Sequence, residues 1–359
     1  MQVPDKTSMH RRTFLKSIAG LSFVSAFPAC HLALSGNTRR YQWQASPSLP
    51  NAMQEMYPAL FENHICVAGA LEVARDGVGT MGPLSASSHM HVFDPRSAQW
   101  TSGPELPSAR HHLGLAATGS NLFGVGGFAA DASNAWQIKA DCFVLDSLSG
   151  DWLSHTPLPQ AQGESVYAAY ENKVHVIGGR AIKNGKLQDT SSHWVLDGDR
   201  WYQAAPLKLA RNSAASCVVN GQIYVAGGRL DGAEPKNQSL FECYNPKTDS
   251  WETLPPMPIP SAGLACAAYN DDLFVFGGEY YRYDMDDNNE PKLVSKTYGE
   301  LWLYSLKTQQ WQRLNDHGTP SPRHGHGAVF VDGKLYVLGG STDIWGKATT
   351  AKMFELPLT

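Results

Sequence analysis

Charge is scarce in this chain: 17% of its 359 residues are Asp, Glu, Lys or Arg, against roughly 25% in ordinary globular chains. A disordered polyampholyte is thereby excluded. The formal net charge is -4 at pH 7, and no Lys/Arg-rich run occurs beyond the first residues, so the footprint of a nucleic-acid partner is missing. Cysteine is also sparse. Six scattered residues without a CxxC pair make neither a disulfide scaffold nor a structural zinc site. The sequence is rich instead in hydrophobic residues (42%), with 33 Gly and 22 Pro. That composition implies a large core and frequent turns, and argues against a helical bundle.

The first residues read as an address. Met9-His-Arg-Arg-Thr-Phe-Leu-Lys16 precedes an uncharged apolar run from Ser17 to Ala29, too short to span a bilayer as a helix. Arg11-Arg12 followed by Thr-Phe-Leu-Lys resembles the twin-arginine export signal, whose route carries folded proteins. The expectation is an export signal and short linker over 1–35 and one domain over 36–359. It implies the twin-arginine translocon as a transient partner and a periplasmic destination. Ala33-Leu34-Ser35 offers small residues for plain cleavage, and the membrane becomes a partner only if Cys30 is lipidated at Phe27-Pro28-Ala29-Cys30. Cys66, Cys142, Cys217, Cys243 and Cys266 sit in apolar runs and read as buried, unpaired small hydrophobes.

Self-similarity governs the remainder. Ala214-Ala-Ser-Cys-Val-Val-Asn-Gly-Gln-Ile-Tyr-Val-Ala-Gly-Gly228 is one of six copies of a hairpin ending in a glycine pair, the first degraded to Gly69-Ala70. A Trp precedes each pair: Trp43, Trp100, Trp152, Trp201 and Trp251 stand 26 residues before the first glycine, and Trp311 stands 28 before Gly339. A third run leads to the next Trp, as in Phe241-Glu-Cys-Tyr-Asn-Pro-Lys-Thr-Asp-Ser-Trp251. Each unit therefore reads as four short strands, a to d from the inside out.

Gly-Gly, Tyr or Phe before Asp/Asn-Pro, and a closing Trp in a unit of about fifty residues resemble kelch repeats, the blades of a β-propeller. The resemblance covers residues 41 to 359 and implies an all-β, six-bladed kelch propeller. The last copy stops at Lys352-Met-Phe-Glu-Leu-Pro-Leu358 without a Trp, and Trp43 has no third strand before it. The N-terminal strand of the mature chain is thus expected to close the last blade. The Trp residues and glycine pairs read as frame, not chemistry.

In a propeller the d-to-a and b-to-c loops share one face, and rigid scaffolds carry binding on such loops. Blades one and five have long b-to-c insertions, Leu71 to Ser88 and Glu279 to Glu300. Counting 17 back from each second glycine gives Met53, Arg110, Gln162, Arg211, Ser261 and Arg323; the residue after each pair is Leu71, Phe128, Arg180, Arg229, Glu279 or Ser341. Five arginines at one mouth, flanked by His111, His112, Glu164, Asn212 and His324 and near Tyr280, predict an acidic ligand, because a guanidinium matches a carboxylate with paired donors. The opposing reading is that Arg at the inner-strand start bonds neighbouring loop carbonyls.

Among exported kelch propellers, the chain resembles the periplasmic sialic acid mutarotases, the N-acetylneuraminate epimerases. That resemblance implies exchange of the anomers of a free sugar acid, with a Glu and an Arg central to it and no cofactor. Mutarotation needs a base for the anomeric hydroxyl and an acid for the ring oxygen. Glu164 or Glu279 is expected as one, His111 or His324 as its partner, and Arg110, Arg211 and Arg323 as a carboxylate clamp, with Arg180, Arg229, Asn212 and Tyr280 completing the pocket. The alternatives are a non-catalytic propeller holding a glycan or protein, and a copper oxidase resembling galactose oxidase, for which His111, His112, His324 and His326 could gather near the axis. Asp284-Met-Asp-Asp-Asn-Asn-Glu290 lacks the glycine of a calcium loop and reads as a solvated tip.

Overall fold

Val, Ile, Tyr and Phe enrichment makes each run a strand, and the polar pairs between runs make tight turns. Asn220 and Gly221, at φ 51 and 74, form one such hairpin turn, which requires the left-handed region at both positions. In a computed structural model describing residues 41–231, 236–287, 290–314 and 320–358, the strands build six four-stranded antiparallel sheets. The expected export segment lies outside the described residues. Blade 4 runs Ala215–Val219, Gln222–Ala226, Phe241–Asn245 and Ser250–Thr253, and blades 1, 2, 3 and 5 repeat that order. Blade 6 combines Gly327–Val331, Lys334–Leu338 and Met353–Pro357 with the N-terminal strand Gln44–Ser46, in the register Gln44↔Glu355 to Ser46↔Met353.

The inner strands touch one another in a closed cycle, from Ala59–Phe61 of blade 1 through successive blades to Gly327–Val331 and back. Apolar clusters straddle the seams. Phe61, Cys66 and Val92 of blade 1 pack with Leu115, Phe143 and Trp152 of blade 2, and Leu301 and Leu303 of blade 5 pack with Leu335, Val337 and Trp43 of blade 6. Burial of these side chains, worth about 1.5–3 kcal/mol each, is therefore spent on joining blades.

Two polar fasteners repeat at the seams. The second glycine of a pair donates its N–H to a carbonyl of the next blade: Gly179 to Arg211 at 2.8 Å, Gly228 to Ser261 at 2.9 Å, Gly278 to Arg323 at 2.8 Å and Gly340 to Met53 at 2.8 Å. The first glycine lies so close to that carbonyl that a Cβ on Gly227 would stand 2.5 Å from Ser261 O. The Trp indole reaches the opposite way. Trp251 donates to Ala205 O at 2.8 Å and Trp311 to Pro255 O at 3.0 Å, so both repeated signatures serve as blade-to-blade contacts.

The b-to-c insertions fold as small hairpins of their own. Glu279–Met285 pairs with Pro291–Thr297 in blade 5, and Leu71–Val73 pairs with Leu84–Ala86 in blade 1. The stretch expected as a solvated tip at 284–290 lies at the end of the blade-5 hairpin; residues 288–289 are outside the described set.

Candidate functional site

Just before each inner strand the backbone turns left-handed. Glu55, His112, Glu164, Ser213, Gly263 and Gly325 have φ of 54, 52, 51, 52, 62 and 58, and each stands 14 residues before the first glycine of its blade. The left-handed region costs a non-glycine residue roughly 1–2 kcal/mol, and such strain concentrates at functional sites. A belt of backbone bonds holds these positions together: Glu55 N–H donates to Gly325 O (2.6 Å), Gly325 to Gly263 (2.8 Å), Gly263 to Ser213 (2.9 Å) and Ser213 to Glu164 (3.0 Å). The result is a six-position ring around the axis whose side chains differ while its backbone repeats.

A second tier stands beside it. The residue after each glycine pair is bridged to the residue before the ring position, as in Gly163↔Arg180, Asn212↔Arg229 and Ala262↔Glu279. Arg180, Arg229 and Glu279 thereby join Glu55, His112, Glu164 and Ser213 around a cavity of about 380 Å³. His324, Asp231, Tyr281 and Trp136 complete its polar and aromatic wall, and Leu71, Met81 and Leu84 give it an apolar side.

The ionisable groups are coupled. His112 Nε2 lies 3.1 Å from Glu55 Oε2 and 3.8 Å from Glu164 Oε1. On the other side of Glu55, His324 Nδ1 is 3.5 Å from Oε1, and its Nε2 is 3.6 Å from Glu279 Oε2. Burial pushes the Glu164 carboxyl above its ordinary range, against the pull of His112, Arg180 and Arg229. Burial would also raise Glu55, but His112 and His324 outweigh it and hold this carboxyl well below the ordinary range. Burial would lower His324; Glu279 and Glu55 reverse that and raise it to about 9. The cavity therefore holds one carboxyl biased toward the acid and another biased toward the carboxylate.

The guanidinium groups are shared. Arg180 Nη2 meets Asp231 Oδ2 at 2.7 Å and Arg229 Nη1 meets Glu279 Oε1 at 2.8 Å, with Arg229 stacked over Tyr281 at 5.1 Å. The Nε atoms of both arginines are buried and face carboxylates, Arg180 Nε 3.6 Å from Glu164 Oε2 and Arg229 Nε 4.0 Å from Asp231 Oδ1.

Comparison with known proteins agrees with this architecture. A family model described as the KLHDC2/KLHL20/DRC7 Kelch-repeats domain matches residues 77–278 and 213–358. The chain belongs to the kelch-repeat family. Similar relatives include Kelch-like protein 40 of Xenopus tropicalis, 27% identical over 278 residues, which are 77% of this chain and 42% of that protein. Kelch-like protein terF of Aspergillus terreus is 26% identical over 316 residues, 85% of this chain and 65% of that protein. The chain thus spans less than two thirds of these relatives' lengths. The solved structure of YjhT superposes with a TM-score of 0.68 at 17% identity, covering 87% of this chain and 97% of that one. The likeness shows the shared fold.

Of the residues expected at the mouth of this kelch propeller, Glu164, Glu279, His324, Arg180 and Arg229 line the cavity. Arg110, Arg211 and Arg323 do not. Arg211 donates to Gly227 O at 2.9 Å and to Glu242 at 2.7 Å, and Arg323 donates to Gly339 O at 2.9 Å. Gln162 and Ser261, at the same repeat position, reach the same glycine carbonyl at 2.8 and 3.1 Å. In these four blades this position supplies a side-chain donor to the first glycine carbonyl of its own blade, and Arg110 pairs with Asp141 at 2.5 Å. His111 is turned away, with Nε2 2.7 Å from Ala135 O and its ring stacked on Phe128; burial lowers it to about 3. Asn212 donates to Asp189 Oδ1 at 2.7 Å, and Tyr280 lies against Arg282 while Tyr281 faces the cavity. Glu55 and Asp231 were not anticipated. Counting 15 rather than 17 residues back from the second glycine would have found Glu55 and singled out His112.

Proposed function

We propose that the cavity binds a monosaccharide-sized sugar acid and catalyses exchange of its anomers. The observation that carries this reading is the pair of oppositely biased carboxyls, Glu164 and Glu55, on either side of His112. Groups whose surroundings push their proton affinities apart are suited to acid and base roles in one reaction. Glu55 takes the anomeric hydroxyl proton as the carbonyl forms and the bond from the anomeric carbon to the ring oxygen breaks. Glu164 gives its proton to that oxygen. Rotation of the open chain presents the other face, and the reverse transfers close the ring and restore both carboxyls.

The guanidinium groups of Arg180 and Arg229 on the cavity wall suit a substrate carboxylate, and Trp136 and Tyr281 offer apolar faces to a sugar ring. The electrostatic case for an acidic ligand rests on these two arginines and the protonated His324, set against Glu55, Asp231 and Glu279. The resemblance to the sialic acid mutarotases, together with the twin-arginine-like segment, supports a periplasmic setting. The test is NMR exchange spectroscopy on N-acetylneuraminic and glucuronic acids. Acceleration is expected with the native protein, and its loss with Glu164→Gln and Glu55→Gln while circular dichroism stays unchanged. Saturable binding without exchange in the native protein would leave a sugar-binding module and reject the enzyme.

A further inference from the structure

Blade 1 carries a side-chain cluster that this chemistry does not use. Glu72 lies on the strand Leu71–Val73, and His89 and His91 bracket the start of Met90–Asp94. Residues two apart on an extended chain face the same side. One ligand atom from each of Glu72, His89 and His91 lies within 4.8 Å of the other two.

His91 supplies the second, independent observation. It is 5% exposed, and neither ring nitrogen has a hydrogen-bond partner among the described residues. Buried polar atoms are almost always satisfied, and an exception calls for a missing partner. The carboxylate beside it is already oriented: Ser87 Oγ donates to Glu72 Oε2 at 2.6 Å, Asn51 Nδ2 donates to Oε1, and His89 Nδ1 lies 2.9 Å from Oε2. Such outer hydrogen bonds are what fix the ligands of protein metal sites. Access is available, since the His89 side chain is 42% exposed and a cavity of about 290 Å³ borders Glu72 and His89.

The geometry points to a divalent transition-metal site of the zinc class, with Glu72, His89 and His91 as ligands and one position left to water. Two imidazoles and a carboxylate favour zinc over calcium or magnesium, which take oxygen sets. The same b-to-c insertion supplies Met81 and Leu84 to the wall of the central cavity, so a bound ion would tie that insertion to the blade. A plain Glu72–His89 ion pair is the competing explanation, and it leaves His91 without a partner.

Untagged full-length protein, stripped with chelator and dialysed, is titrated with zinc chloride by calorimetry and with cobalt by visible absorption. One ion per chain is expected, with a cobalt d–d spectrum of low coordination number. His91→Ala and Glu72→Gln should each weaken zinc binding at least about tenfold, whereas Glu55→Gln in the central cavity should leave it unchanged. Should His91→Ala fail to fold, the half-exposed His89→Gln serves in its place. Absence of saturable zinc binding by the native protein, or binding that survives both Glu72→Gln and His89→Gln, overturns the assignment.

Discussion

Glu55 and Glu164 occupy the same repeat position in blades 1 and 3, and only their neighbours distinguish them. Glu55 has a histidine on each side, whereas Glu164 is 6% exposed and one of its carboxylate oxygens, 3.6 Å from Arg180 Nε, makes no hydrogen bond among the described residues. If Glu164 is the acid, anomer exchange should fall as pH rises through its elevated pKa, and Glu164→Gln should remove that alkaline limb together with the activity. The stability dependence is carried by His324, which Glu55, Glu279 and the Asp343 carbonyl face. Its pKa is 6.5 when unperturbed and about 9 in the fold, so the folded state holds a proton that the unfolded chain has released. The resulting stabilisation is complete below 6.5 and disappears as pH rises to about 9, an effect of roughly 3 kcal/mol at most. His324→Gln should flatten the decline in urea midpoint between those pH values; an unchanged decline would exclude His324 as its source.

At the scale of the element, the left-handed ring explains why part of the site was legible in the sequence and part was not. Arg180, Arg229 and Glu279 follow the glycine pairs directly, so the repeat itself marks them. The inner-strand residues obey no simple alternation, because the left-handed residue interrupts the extended chain: at the start of blade 2 it brings His112 to the cavity and leaves His111 behind. Arginine at the inner-strand start gives no sequence sign that it donates to a glycine carbonyl of its own blade, as Gln162 and Ser261 do at the same position. The ring also predicts unequal responses from two equivalent glycines. A Cβ on Gly325 would lie 2.6 Å from Glu55 Oε1 and 2.8 Å from its Cδ, whereas one on Gly263 would be no closer than 3.4 Å to any neighbour. Both alanine variants bear the left-handed cost of about 1–2 kcal/mol, partly offset through the unfolded chain. Gly325→Ala should in addition displace Glu55 and abolish exchange, while Gly263→Ala should retain most of it; equal activities would argue against Glu55 as the base.

For the whole molecule, the six sheets and the strand that completes blade 6 were readable from six hairpin copies and from Trp43, which has no third strand before it. The paired strands Gln44–Ser46 and Met353–Pro357 and the packing of Trp43 on Phe276 at 5.8 Å give that inference a physical form. Trp43 is 8% exposed, and Trp43→Ala should cost about 3–5 kcal/mol. Removing residues through Ser48 should cost more, seen as a lower and broader thermal transition. A truncated protein melting at the native temperature would show that the ring does not depend on this strand.

The seam between blades 6 and 1 runs through the cavity, since Glu55 touches His324 and its amide binds Gly325. During synthesis the proposed base is made among the earliest residues of the domain, and the histidine that helps set its proton affinity emerges some 270 residues later. No nascent fragment can possess the finished pocket. Turnover would then report, in a single measurement, that the first blade and the sixth have found each other.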